Sequence, residues 1–116
     1  MEAQTVLKLT ADTVRRSVIA QVESSKFGHT SRLKFLADCL AQPEPGWVRL
    51  DEFHARLPQL HPGTFAVWFI TRLDPQSVFF DEGTGLFGCC WGPDRDTDEY
   101  TDLGYRSSDP VEMSLV

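Results

Sequence analysis

Apolar residues in the first quarter of the chain recur at the spacing of one helix face. The apolar positions are Val14, Val18, Ile19 and Val22. Thr10 or Asp12 offers an N-cap just before them, so the pattern predicts a first helix. Because β-branched side chains lower the intrinsic helix propensity, we expect packing of this stripe against the rest of the molecule to hold the helix.

A second amphipathic pattern follows a break at residues 24–29 and predicts another helix, with Thr30 or Ser31 as its cap. Its predicted apolar face comprises Leu33, Leu36, Ala37 and Leu40, with Phe35 at the margin. Pro43 and Pro45 end this helix, since proline cannot continue it and disfavours helical dihedrals in the residue before.

Residues 46–73 contain the densest apolar block of the chain. A short strand is predicted at residues 47–50. Asp51 is a good N-cap for a third helix that ends before Pro58 and carries Phe53, Leu57 and Leu60. Residues 64–73 have almost no polar face, which predicts a fourth, largely buried helix. A strand is the alternative, because residues 65–70 are aromatic and β-branched.

Two short apolar runs at residues 78–80 and 86–91 predict a β-hairpin, since the intervening Asp-Glu-Gly-Thr-Gly is good turn chemistry. After Pro93 the chain is acidic and has no periodicity. The apolar residues near its end could return to the body as an arm or an added strand. The region could equally be partly disordered.

The order of helix, short strand, helix, helix and two-stranded wing over residues 30–91 resembles the winged-helix superfamily. The sequence Gly46-Trp47-Val48-Arg49-Leu50-Asp51-Glu52-Phe53 is similar to the strand-to-helix step of such domains. The resemblance implies an α+β fold, with N-terminal helices leading into a winged-helix-like unit at residues 1–92. An acidic C-terminal arm, residues 93–116, would pack on this unit or extend from it. Winged helices bind DNA or RNA, or serve as protein-docking units.

Length and composition are those of one globular domain: 116 residues, with 41% hydrophobic and 24% charged. The sequence shows no secretory signal and no apolar run long enough to cross a bilayer, so a cytoplasmic location is expected. The net charge of −6 is unevenly distributed. Residues 1–72 hold nine Lys/Arg against seven Asp/Glu, whereas residues 73–116 hold two against ten. Such acid commonly serves solubility, but it also attracts basic protein surfaces.

No catalytic or metal-binding motif emerges from the sequence. Cys89 and Cys90 are adjacent, unlike the Cys-x-x-Cys pair of structural zinc sites. If residues 86–91 form a strand, the two cysteines point to opposite faces, one in the core and the other more exposed. The acidic run from Asp94 begins like a calcium loop, but Glu99 stands where that loop needs glycine. We therefore expect neither an enzyme nor a cofactor.

Binding of a basic protein partner through an acidic surface is the favoured function, as in a small inhibitor, an immunity-type protein or a regulatory adaptor. Trp68 lies in the apolar block and is expected in the core. Trp47 and Trp91 flank turns and are expected at the surface, where tryptophan often anchors an interface. The predicted contact residues are Trp47, Trp91, Asp81, Glu82, Asp94, Asp96, Asp98 and Glu99.

The alternative is a winged-helix regulator that binds nucleic acid. Residues 64–73 would then be the recognition helix. Basic residues that could contact phosphates are Lys26, Arg32, Lys34, Arg49, Arg56 and Arg72. The few polar residues in that helix and the acidic wing tip at Asp81 and Glu82 count against duplex DNA. The sequence leaves the oligomeric state open.

Overall fold

Five β-strands in the last two thirds of the chain close into a barrel. The computed structural model describes residues 7–116. Its strands are β1 (Glu44–Leu50), β2 (Gly63–Phe69), β3 (Gln76–Asp81), β4 (Leu86–Trp91) and β5 (Tyr100–Asp102). Consecutive strands pair antiparallel, and β5 returns beside β1 in parallel, which closes the barrel.

The two edges of β1 are paired to very different extents. On one edge, all seven residues of β1 pair with β2. On the other edge, the pairing with β5 covers only Val48 and Arg49. Among residues 7–116, the first four residues of β1 therefore have a strand partner on one side alone.

The barrel interior is a small apolar core, called here the inner core. It consists of Val48, Val67, Phe69, Phe79 and Cys90, with Phe65 and Tyr100 packed against them. Gly46 has to lack a side chain because the Phe69 ring occupies the space that its Cβ would need. A buried ion pair lies beside Phe79, where Arg106 Nη2 is 2.6 Å from Asp102 Oδ2.

A second core, called here the outer core, lies between one side of the barrel and a layer of helices. The layer contains α1 (Ala11–Glu23), α2 (His29–Lys34), a π-helical turn (Phe35–Cys39) that continues α2, and α3 (Pro110–Ser114). The helical layer contributes Val14, Val18, Val22, Phe35, Val111 and Met113, and the barrel contributes Trp68, Ile70, Val78, Phe80, Phe87 and Cys89. Within residues 7–116, no helix is long and apolar enough to cross a membrane.

The predicted winged-helix arrangement is wrong, because the strands form a closed barrel. Residues 64–73, the expected recognition helix, lie in β2 and the loop after it, so the strand alternative is the correct one. Val67 and Phe69 enter the inner core, whereas Trp68 and Ile70 enter the outer core. With both faces buried, apolar residues follow one another without polar gaps, and periodicity cannot separate strand from helix.

The predicted third helix is also wrong, since residues 51–62 form an irregular loop. Asp51 Oδ1 accepts a hydrogen bond from the backbone N–H of His54 at 2.8 Å, but this bond closes a turn instead of capping a helix. Phe53 is 80% exposed, so the segment buries no apolar face that would stabilise a helix.

Four predicted elements are confirmed. The first helix is confirmed as α1, with Thr10 as its N-cap. The short strand at residues 47–50 lies within β1. The second helix is confirmed as α2, but its predicted apolar face is only partly right, since Leu36 packs against the outer core whereas Phe35 is fully buried and Leu33 is 51% exposed. The π-helical turn that follows α2 changes which side chains share a face. The hairpin is confirmed as β3 and β4.

The acidic C-terminal segment, residues 93–116, contributes two elements to the fold. β5 is a strand of the barrel itself. α3 packs on the outer core through Val111 and Met113. Asp109 is its N-cap and accepts hydrogen bonds from the backbone N–H groups of Val111 and Glu112.

Candidate functional site

The helices cover only part of the outer surface of the barrel, and β1, β5 and the end of β4 form the exposed remainder. Trp91 pairs with Thr101, and Thr101 pairs with Arg49. Paired residues share one face of a sheet, and Trp47 has the same orientation because it is two residues from Arg49. Trp47 and Trp91 are 53% and 54% exposed. We call the surface formed by Trp47, Arg49, Trp91 and Thr101 the open face.

A cleft of about 290 Å³ adjoins the open face where β1 and the chain before β5 are not paired. One wall is β1 from Pro45 to Arg49, and the other is formed by residues 98–100. Thr64, Phe69 and Arg72 complete the lining.

Arg72 lies in the cleft with its guanidinium over two aromatic rings. Its Cζ lies 4.6 Å from the Phe69 ring centroid and 5.5 Å from the Tyr100 ring centroid. The Tyr100 hydroxyl donates to Asp74 at 3.2 and 3.3 Å, and burial raises the pKa of Tyr100, so the hydroxyl stays a donor. Among residues 7–116, no carboxylate lies within 4.0 Å of the Arg72 guanidinium. Within the described residues, the guanidinium donors are therefore left free for a ligand.

The loop between β4 and β5, residues 92–99, is named here the acidic loop. Asp94 Oδ1 accepts hydrogen bonds from the backbone N–H groups of Asp96 and the next residue at 2.8 and 3.1 Å. These bonds lower the pKa of Asp94 below its usual value. Asp98 has a φ of 61°, a conformation that aspartate adopts more readily than most residues. Asp98 and Glu99 line the cleft.

The other two predicted acidic residues lie at the opposite end of β4, where Asp81 is the last residue of β3 and Glu82 is the first residue of the turn. The Glu82 carboxylate accepts hydrogen bonds from Trp68 Nε1 at 2.9 Å and from the backbone N–H groups of Lys8 and Leu9 at 2.6 and 3.2 Å. Burial alone would raise the pKa of Glu82, but these bonds outweigh it and the pKa is lowered. Glu82 thus ties the segment before α1 to the barrel.

The basic residues of the nucleic-acid alternative are spread over separate parts of the molecule. Lys26, Arg32 and Lys34 lie in or beside α2. Lys26 Nζ is 3.1 Å from a Glu112 oxygen, and Arg32 Nη1 donates to a backbone carbonyl at the end of α1.

The remaining three basic residues belong to the barrel and its loops. Arg56, in the loop between β1 and β2, lies 4.8 Å from the Tyr105 ring centroid. Arg49 and Arg72 both line the cleft, and Arg49 Nη1 is 3.4 Å from a Glu99 oxygen. The expected recognition helix does not exist, and the structure brings only two of the six basic residues together at the cleft.

Cys89 and Cys90 point to opposite faces of β4, as predicted, but both are buried. The expected exposure of one of them is wrong because the helices cover the outer face at Cys89. Burial, with the nearby Asp102 carboxylate, raises the pKa of Cys89 to about 11 and that of Cys90 to about 12, so both remain thiols. In the part of the chain that the structure describes, no cluster of three or more His, Cys, Asp or Glu could hold a metal ion.

Sequence reasoning missed the cleft and three residues that shape it, namely Gly46, Phe69 and Tyr100. The cleft depends on the pairing of residues 48–49 with residues 100–101, which lie far apart in the chain. One local signal was present, since Pro45 lies in β1 and proline within a sheet is confined to strands or strand ends with an open edge.

Comparison of the chain with protein-family models, with curated proteins and with solved structures found no match. The open face, the cleft and the acidic loop are therefore the features from which a function has to be inferred. The three adjoin one another, because β1 contributes to the open face and the cleft, and the acidic loop leads into β5.

Proposed function

We propose that this chain is a non-catalytic protein-binding module that holds a basic partner against the open face and the acidic loop. The observation that supports it most is the exposure of Trp47 and Trp91 on a barrel face that the helices leave uncovered. Tryptophan combines a large apolar body with one donor, and it is enriched among the residues that dominate binding energy at interfaces. Covering both rings would remove a large apolar area from water.

The expected sign of the partner's charge follows from the acidic loop. Residues 94–99 contain four carboxylates, Asp94, Asp96, Asp98 and Glu99, against one cation, Arg95. The Asp94 carboxylate is hydrogen-bonded within the loop and Glu99 is near Arg49, whereas Asp96 is exposed. Complementary charge at the rim of an interface mainly speeds association and excludes wrong partners, while the tryptophans would supply affinity.

The test uses peptides of equal length whose Lys/Arg content increases stepwise, titrated against the purified chain. We expect affinity to rise with peptide charge and to fall with added salt. The variant D96N/D98N/E99Q should lose about tenfold in affinity and most of its salt dependence. Asparagine at position 98 tolerates the positive φ, so this variant keeps the loop conformation. Trp91→Ala should also weaken binding about tenfold or more.

A matched control separates the acidic loop from net charge. The variant D12N/D38N/E52Q removes two aspartates and one glutamate at exposed positions outside the loop. It changes the net charge by the same amount and should bind like the original chain. Equal losses in the two triple variants, or peptide affinities that do not depend on Trp91, would contradict the proposal.

A further inference from the structure

The cleft has the features of a site for the end of a peptide chain. We propose, on the basis of the protein-binding function above, that it takes an extended peptide by its free carboxyl terminus. The main chain of the peptide would pair with the open edge of β1, its terminal carboxylate would bind Arg72, and a Lys or Arg side chain close to its end would meet Asp98 and Glu99.

The main-chain part of the inference rests on the unpaired edge of β1. Residues 44–47 pair with β2 but not with β5, whose contact with β1 begins at Val48. In the acidic loop, the backbone N–H groups of Asp94 and Asp98 donate to carbonyls of the loop itself and not to β1. An open strand edge is a template for an added strand, and main-chain hydrogen bonds then supply affinity.

The size of the cleft favours the end of a chain over an internal segment. Its volume of about 290 Å³ is at the lower limit of ordinary ligand pockets, which run from about 300 to 1,000 Å³. Pro45 has no N–H to donate, so the usable edge is short. A terminal segment of a few residues fits such an edge, whereas a long strand would extend beyond it.

The carboxylate part of the inference rests on Arg72. Its guanidinium lies over the Phe69 and Tyr100 rings and has no carboxylate partner among the described residues. A planar guanidinium binds a carboxylate through two parallel hydrogen bonds, and the contacts with the two rings keep this one in the cleft. Arg49 also lines the cleft and lies 3.4 Å from a Glu99 oxygen, whereas Asp98 has no ion-pair partner among the described residues, so its carboxylate would repel a phosphate group. A peptide end with a cationic side chain satisfies both signs of charge.

The experiment selects binders from a random hexapeptide library with free carboxyl termini on the immobilised chain. Selected peptides are resynthesised with a carboxylate or a carboxamide end, and each dissociation constant is measured. We expect the carboxylate form to bind about tenfold tighter or more, since hydrogen bonds between charged groups are the stronger ones. Arg72→Met should abolish this difference, and Arg72→Lys should retain part of it.

The matched control is Arg56→Met. Arg56 is also exposed and stacked on an aromatic ring, that of Tyr105, but it does not line the cleft. It should leave the preference for the carboxylate form unchanged. Alternate N–H groups of a strand face the same edge, so only every second peptide N–H would pair with β1. N-methylation of those residues should abolish binding, whereas N-methylation of the residues between them should not.

Several outcomes would overturn the inference: no enriched hexapeptide, equal binding of carboxylate and carboxamide forms, a preference that survives Arg72→Met, or competition by inorganic phosphate as strong as that by the free peptide. These outcomes are distinguishable from failure of the proposed function. If the acidic-loop variant still loses affinity for basic peptides while the carboxylate preference is absent, the cleft inference fails alone. If the acidic-loop variant binds normally, the proposed function fails as well.

Discussion

The outer surface of the barrel has two halves with opposite environments. On the covered half, Phe87 and Cys89 of β4 belong to the outer core beneath the helical layer and are fully buried. On the open half, Trp91 continues the same outward row of β4 and is 54% exposed. One strand therefore carries a structural core at one end and a bare aromatic ring at the other.

The difference between the halves shows where stability and function are expected to separate. Large apolar side chains on the covered half remove apolar area from water in the folded chain alone. Trp47 and Trp91 on the open half keep about half of their surface in water, so folding gains less from each of them than from a fully buried ring. Exposed aromatic rings that do not stabilise the fold are the ones expected to act in binding.

The largest predicted loss of stability comes from a substitution in the covered half. Phe87→Ala should lower the free energy of unfolding by about 3–5 kcal/mol, because it removes a fully buried ring that packs 5.1 Å from the Phe80 ring. Trp91→Ala, on the same outward row of β4, should cost about 1–2 kcal/mol, because only about half of that side chain is buried. Urea unfolding followed by far-UV circular dichroism measures both values.

The comparison of these two variants decides whether the halves differ as described. A loss of similar size in both would make Trp91 a structural residue and would remove the main support for the open face as a binding surface. Trp47→Ala provides a second test of the open face and should change the free energy of unfolding about as little as Trp91→Ala does.

The sequence predicted the local elements of the fold but not their assembly. α1 and the hairpin of β3 and β4 depend on caps, turns and side-chain periodicity within a few residues, and these were read correctly. β2 was ambiguous because both of its faces are buried. Residues 51–62 were wrongly predicted as a helix because Asp51 is a good N-cap. The structure shows that the bond to Asp51 closes a turn and that Phe53 stays exposed, so no buried face stabilises a helix there.

The candidate site was predictable only as a set of exposed residues. Trp47 and Trp91 were recognised as surface tryptophans and Trp68 as core, and their exposure confirms this. Their common face follows from the register that joins β1, β5 and β4, which is a long-range property. The stacking of Arg72 on Tyr100 arises in the same way, and no local pattern indicates it.

The second prediction compares a buried ion pair with an exposed one. Asp102 of β5 belongs to the buried pair, and Glu99, just before β5, belongs to the exposed pair. Asp102 points inward to Arg106, and both side chains are almost wholly buried. Glu99 faces Arg49 at the surface. Asp102→Asn should cost about 3 kcal/mol, because it leaves a buried guanidinium uncompensated, whereas Glu99→Gln should cost at most about 1 kcal/mol. Chemical denaturation of the two variants tests this.

A double variant identifies the cause of the Asp102 effect. Replacing both partners, as in D102N/R106M, removes the uncompensated charge, keeps an acceptor for the Gly104 N–H and should be less destabilising than Asp102→Asn alone. If the double variant is the less stable one, the pair contributes net stability to the interior and the cost is not one of desolvation.

The smallest predicted effect concerns pH at the edge of the covered half, where Glu82 ties Trp68 and the segment before α1 together. Its pKa is lowered below the ordinary value of 4.5, so its contribution to stability is fully present above that pH and is lost as the pH falls through the lowered value. Glu82→Gln should therefore reduce stability at pH 7, and the gap from the original chain should narrow as the pH falls below 4.5. Urea midpoints measured across this range test the sign, with Asp96→Asn as the control, since Asp96 is an exposed carboxylate on the acidic loop. A gap that stays constant with pH would mean that Glu82 acts through its shape and neutral hydrogen bonds, and that its charge has no part in holding the segment before α1 to the barrel.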